Sequence, residues 1–382
     1  MAPSSPAPST ASSMPSTPQS LLASSDGLSV LQTPPSTPGS TVSYWKEKML
    51  AYRTKLINNS VYLGDAAVDV EKQLCWIRLK KKSILCTVEA LATYDAERAA
   101  YNEDITNVDP PSAPEPVTLS AVWCIDEEYF FMTADGNWNP KKDFGGFETS
   151  KATCLMAQAN EAVFAADYVR IVRNIRKLIE MGCSGDGRPV KGIFSDTPDN
   201  RSLMKVRHVL FHEITEDDDG EIAPKLSDDS DVDSDEAYGK SSGSAKVEDP
   251  KKKQQRLREE EFTMVGWPVR RKEAKQQFKN MKGRYYVSPI PAFKMWGDGI
   301  RPSTYEASLK GADVGVHFNL LHWPIGDVKY PKGLSDTFVG DLVNMRVYVP
   351  PKEVFSSSPA KRDWQKDRFT PDVSPSKLRR LL

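Results

Sequence analysis

The chain has 382 residues, a net charge of −1 and 39% apolar residues, which is enough length for about two domains. Its apolar share lies below the globular average, and the deficit is concentrated in a few segments, so the remainder can build ordinary cores. No apolar run approaches the ~18 residues needed to span a bilayer, and the N-terminus shows no secretory pattern, so no membrane role is expected. The five cysteines, Cys75, Cys86, Cys124, Cys154 and Cys183, include no C-x-x-C pair and read as reduced thiols rather than a disulfide framework or zinc knuckle.

Residues 1–41 contain no Lys or Arg, and 25 of them are Ser, Thr or Pro. Such a composition cannot offset its ordering entropy and predicts a disordered tail. Ser5, Thr17, Thr33 and Thr37 each precede a proline, which makes Thr33 and Thr37 candidate sites for a proline-directed kinase.

A helix-rich domain is expected over 42–215. Trp45, Met49, Tyr52 and Leu56 share one helical face. Asn58, Asn59 and Ser60 suggest a turn, and Asp65 a cap for a second, long helix. Along that helix Val70, Leu74, Ile77, Ile84, Val88 and Leu91 follow heptad spacing, with Lys81 at one seam position. The two stripes face each other as an antiparallel helical hairpin or pair between chains, so 42–95 is a candidate for self-association. Lys81 either specifies register or snorkels from an ordinary helix. Four prolines in 107–116 predict a loop. Strands are expected over Val117–Ile125 and Tyr129–Met132, with Asp135-Gly136 as a turn. Ala152–Met181, with Leu155, Val163, Val169, Val172, Ile175 and Ile179, reads as a helix stopped by Gly182. Short strands follow at 190–194 and 203–214.

Residues 216–236 hold eleven Asp or Glu, whereas 251–284 hold twelve Lys or Arg against four Glu. The segment 216–261 therefore reads as a disordered, acidic-to-basic linker. Ser230 and Ser234 within it resemble acidophilic-kinase sites, where phosphate would deepen the negative charge. Globular composition returns over 262–351, with strands at 284–296, 312–323 and 338–349 and a short helix at Thr304–Lys310 capped by Ser303. The segment 352–382 reads as a second disordered tail. The predicted fold class is α+β: a helical hairpin and long helices in the N-terminal region, and a small β-rich, OB-like C-terminal domain.

His208 and His212, four apart, have a spacing that can bind metal, but no third ligand lies nearby in sequence, and His317 and His322 are poorly spaced. Cys183-Ser184-Gly185-Asp186-Gly187 lacks the phosphate-loop pattern and reads as a helix-to-strand connection. No metal and no cofactor are assigned, and a metal-dependent enzyme is the distant alternative. Lys251, Lys252, Lys253 and Arg256, in Pro250–Arg256, resemble a nuclear-import signal, which favours the nucleus over the cytoplasm.

The basic stretch then runs directly into aromatics. Cations track phosphates and aromatic faces stack on bases, so Arg270, Arg271, Lys272, Lys275, Lys279 and Arg284 are candidate nucleic-acid contacts. Tyr286, Trp296 and Trp323 are their aromatic counterparts. The strand–helix–strand order, with Gly283-Arg284-Tyr285-Tyr286-Val287 and Gly311-Ala312-Asp313-Val314-Gly315-Val316-His317-Phe318, resembles OB-fold single-strand DNA-binding proteins over residues 283–349. That resemblance implies a single-stranded nucleic-acid partner. At the C-terminus, Ser358-Pro359-Ala360-Lys361 and Ser374-Pro375-Ser376-Lys377 look like cyclin-dependent kinase sites, and Thr370 also precedes a proline. Arg379, Leu381 and Leu382 resemble a cyclin-docking segment. The expected protein is a non-enzymatic nuclear binding protein that contacts nucleic acid. Its alternative is a phosphorylation-regulated interaction scaffold without nucleic acid.

Overall fold

In the computed structural model the described residues are 40–106, 109–141, 145–185, 187–198, 201–215, 250–326 and 334–352. The chain divides into two units, Met1–Trp45 and Lys46–Leu382, and every contact below lies within the second. Helix α1 (Ser40–Asn59) runs into the short strand β1 (Val61–Tyr62). On α1, Met49 and Leu56 are buried, and Tyr52 stacks on Tyr348 with ring centroids 4.8 Å apart. Asp167 fastens this segment, accepting from Arg53 Nε at 2.7 Å and from the Tyr62 hydroxyl at 2.8 Å. Burial, together with that carboxylate, pushes the Tyr62 phenol far above its ordinary value.

The second long helix does not form. A single turn, α2 (Val70–Gln73), with Asp69 rather than Asp65 at its N-cap, gives way to the hairpin β2 (Leu74–Leu79) and β3 (Lys82–Thr87), and only then to α3 (Val88–Glu103). Lys81 sits in the two-residue hairpin loop, not on a helical seam. Ser83, Ile84, Leu85 and Cys86 are buried in succession. Strands inside a sheet bury both faces in this way, whereas a helical stripe cannot. Cys75 and Cys86 face each other across the hairpin with sulfurs 3.7 Å apart.

The helix expected at Ala152–Met181 is also divided. After β4 (Thr118–Phe131), Lys151–Ala157 forms strand β5, and the helices are the short α4 (Ala162–Ala165) and α5 (Tyr168–Gly182). Five consecutive residues of β5, from Ala152 to Met156, are buried, so its small side chains pack within a sheet rather than along a helix. On α5 the buried face is Ile171, Asn174, Ile175, Leu178 and Ile179, the 3–4 spacing of an amphipathic helix, and Val169 is exposed.

Four strands follow: β6 (Val190–Lys191), β7 (Phe194–Asp196), β8 (Ser202–Val209) and β9 (Phe211–Glu213). Then come helices α6 (Pro250–Glu260) and α7 (Lys272–Met281), strands β10 (Tyr285–Val287) and β11 (Ala292–Phe293), and the single turn α8 (Tyr305–Leu309). Thr304, not Ser303, precedes α8, while the Ser303 hydroxyl donates to Glu261 at 2.6 Å. The long strands β12 (Asp313–Ile325) and β13 (Ser335–Val349) complete the described chain.

The expected fold class is overturned: the protein is mixed α/β, organised on one eleven-stranded sheet that draws strands from both halves of the chain. Along it the order is β1-β4-β5-β8-β13-β12-β3-β2. Strand β12 also pairs antiparallel with β4 from Asp313↔Cys124 to Asn319↔Thr118, so β4, β5, β8, β13 and β12 close into a ring. All contacts in the ring are antiparallel except β8–β13, where Asp341 faces Arg207 in parallel register. The region expected to stand alone as a small C-terminal barrel thus supplies two walls of a larger one. Its long strands leave too much apolar edge and face to be covered without β4, β5 and β8.

Beyond the ring, where β12 meets β3, His322 Nε2 lies 2.8 Å from Asp336 Oδ1, with the residues only 2% and 0% exposed. Phe338 stacks on the imidazole at 4.4 Å, and the Ser184 N–H donates to the second Asp336 oxygen at 3.1 Å. Burial alone would raise Asp336; the donors His322 and Ser184 outweigh it and hold the carboxyl below its ordinary value. A depressed folded-state pKa means stability that is present above the unfolded value, about 3.9, and is lost as pH falls through the folded one. Replacing Asp336 with Ala strands a buried imidazole and is expected to cost about 3–5 kcal/mol in urea unfolding. It should also flatten the acid limb of the stability curve; an unchanged acid limb would show that the pair is not what acid breaks.

Candidate nucleic-acid interface

The outward face of β5 and β8 is set by strand alternation. On β8, Met204 and Val206 point into the core while Lys205 and Arg207 are half-buried on the other side. On β5, Thr153 faces Arg207 in antiparallel register, and Lys151 lies two residues back. These four side chains, with Asn137, Gly192 and Val339, line a pocket of about 250 Å³. Gly192 has φ +97°, and a Cβ there would stand 2.5 Å from the Phe338 carbonyl oxygen, so the wall admits no side chain.

Three cationic side chains, Lys151, Lys205 and Arg207, line the pocket. Arg207 is held by Asp341, with Nε 2.5 Å from Oδ1 and Nη2 3.4 Å from Oδ2. Its Cζ also lies 5.3 Å from the centroid of the half-buried Trp323 ring. The Lys151 ammonium has no ion pair among the described residues. Burial, and then the nearby Arg207 and Lys205 charges, lower its pKa against the opposing pull of Asp341. Lys151, Lys205 and Arg207 thus line one small pocket, and the Trp323 ring lies against Arg207.

The nine cations and aromatics singled out in the sequence are not brought onto one surface. The backbone N–H groups of Arg270 and Arg271 donate to Asp135 at 3.0 and 3.1 Å. Arg270 also pairs with Glu306 at 2.7 Å, and the Arg271 guanidinium donates to the Trp138 carbonyl. Lys272, Lys275 and Lys279 are exposed on α7, whose core face is Ala274, Phe278 and Met281. Arg284 approaches Glu213 at 3.9 Å, and Tyr286 stacks on His212 with centroids 5.4 Å apart in the separate β9–β10 pair. Trp296 is 75% exposed, with Lys48 Nζ 3.9 Å from its ring centroid. None of the nine lines the pocket, and Trp323 alone lies against one of its lining residues, Arg207.

His208 and His212 are engaged with different partners, the Ser288 carbonyl and the Tyr286 ring. The His208 ring lies 2.9 Å from the Ser288 carbonyl, and burial keeps its pKa below the ordinary histidine value. Among the described residues no group of three or more His, Cys, Asp or Glu side chains is placed to hold a metal ion. The import-like run forms part of helix α6, where Arg256 approaches Glu260 at 3.5 Å and Lys251, Lys252 and Lys253 occupy the first turns. Thr33, Thr37, Ser230, Ser234, Ser358, Thr370, Ser374, Arg379, Leu381 and Leu382 lie outside the described residues.

Sequence reasoning missed Lys151, Lys205 and Arg207. The available signal is the period-2 alternation of Leu203-Met204-Lys205-Val206-Arg207, which places two cations on one face. Burial and the neighbouring Arg207 and Lys205 charges disfavour the Lys151 ammonium. Lys151→Met is therefore expected to raise stability by about 0.5–2 kcal/mol in thermal unfolding. A loss of stability on that substitution would mean that the ammonium serves the fold.

No protein-family model matches this chain, and neither the curated proteins nor the solved structures contain a match to it.

Proposed function

We propose that this protein binds single-stranded nucleic acid on the barrel face formed by β5, β8 and β12. Lys151, Lys205 and Arg207 take backbone phosphate, and Trp323 stacks a base. The observation that carries the reading is the contact of Arg207 with Trp323 at the edge of a lysine-lined pocket, because phosphate and base binding then occur one nucleotide apart. The closed five-stranded ring supports it as well, since OB-type barrels bind oligonucleotides on the face of their second and third strands. In this ring β5 and β8 occupy the corresponding positions. The reading relocates the interface suggested by the sequence. Arg270 and Arg271 are engaged in holding α7 to the 134–138 loop, and a nuclear location, from Pro250–Arg256, belongs to the same proposal.

Affinity for an oligothymidylate should fall with salt, with a slope near −2 for about three phosphate contacts. Trp323→Ala should cost about 1–3 kcal/mol of binding. Converting Lys275 and Lys279 together to Gln should leave affinity almost unchanged. The opposite pattern, with the α7 lysines essential and Trp323 dispensable, would move the interface to α7.

A further inference from the structure

A second groove, of about 940 Å³, has Trp323 in its lining. The hairpin β2–β3 supplies one wall with Arg78, Lys80, Lys81 and Lys82. Helix α3 supplies the other with Tyr94, Arg98 and Tyr101, whose spacing of four and three puts them on one helical face. Among the described residues no carboxylate lines it. Lys80, Lys81, Lys82 and Arg98 form no ion pair among the described residues.

Two features of this arrangement stand out. Helix α3 has no fully buried residue, so its last turns, with Arg98 and Tyr101, add little to the core. Lys80 has φ 50° and is the one non-glycine among the described residues in the left-handed region. Glycine or asparagine occupies such hairpin positions without strain. A strained lysine at a hairpin tip, among three further cations, is the kind of backbone outlier that marks a site.

We propose that this hairpin–helix groove extends the interface, so that one single strand runs from the β5–β8 pocket past Trp323 and between the hairpin and α3. The cations of β2–β3 and Arg98 hold its phosphates, and Tyr94 and Tyr101 stack its bases. This rests on the reading of the barrel face given above. Trp323 joins the two parts, since it borders the groove and lies against Arg207 of the pocket. An acidic polypeptide would satisfy the cations but would leave the three rings without a stacking partner.

The full chain is titrated with labelled oligothymidylates of about 8 and about 24 nucleotides, bracketing the span of one barrel. The wild type is expected to bind the longer strand more tightly and with a steeper salt slope. Converting Lys81 and Lys82 to Gln should weaken the long strand roughly tenfold and flatten its slope by about 1.4, at about 0.7 per phosphate, while sparing the short one. Lys80→Gly should raise the thermal midpoint and still weaken the long strand, which no loss of folding can imitate. Equal affinity for both lengths, untouched by these variants, would overturn the groove and leave the barrel reading intact. Absence of binding at either length would overturn the barrel reading itself. Displacement of the long strand by polyglutamate at matched charge, as effective as by unlabelled oligothymidylate, would overturn the nucleic-acid assignment.

Discussion

The structure depends on β12 being hydrogen-bonded along both of its edges. From Asp313 to Asn319 it pairs with β4 on one side and β13 on the other, and at Leu321 and His322 its free side passes to β3. An unpaired edge in a strand this long would expose a row of amide and carbonyl groups. Closure through β4 removes that edge and encloses Trp123, Val314, Val316 and Phe318, all fully buried. The hairpin β2–β3 is then held at the end of β12, which is why a basic hairpin from the first hundred residues stands beside Trp323.

Buried carboxylates tie the remaining segments to this frame. Asp313 accepts from the Asn160 and Glu161 N–H groups at 3.0 and 2.8 Å and fixes the turn after β5. Asp135 receives the backbone of Arg270 and Arg271, and Asp167 joins α1 to α5. Each joins residues far apart in the chain. A carboxylate can accept from several donors at once, which compensates its desolvation better than a single bond does. The acids spent inside in this way do not line the hairpin groove, and they help to explain why cations in a nearly neutral chain collect there without a carboxylate among the described residues.

The cations differ in how the fold places them. Arg53, Arg270 and Arg271 are directed at carboxylates or carbonyls that fasten elements together. Lys151 is held against Arg207 and Lys205, and Lys80 sits at a strained backbone angle. Lys80 borders the same groove as Trp323, and Lys151 lines the pocket whose Arg207 lies against that ring.

Composition and turn chemistry alone located most of the C-terminal strands, because Asp313–Ile325 and Ser335–Val349 carry long β-rich runs that no helix period fits. The first helical face, with Met49 and Leu56 inward, was legible because Trp45, Met49, Tyr52 and Leu56 recur at helical spacing. The heptad through Val70–Leu91 was not, since its short apolar runs satisfy both periods and only an available edge on β12 decides for strands. The small residues of Ala152–Ala157 suit helix contacts and sheet interiors equally, and the neighbours β4 and β8 settle the matter. At the interface, local sequence identifies Trp323 as a large aromatic but is silent on its companions. Arg207, Arg78 and Tyr94 come from separate segments, and only the strand order, with β12 between β13 and β3, brings their side chains to one ring.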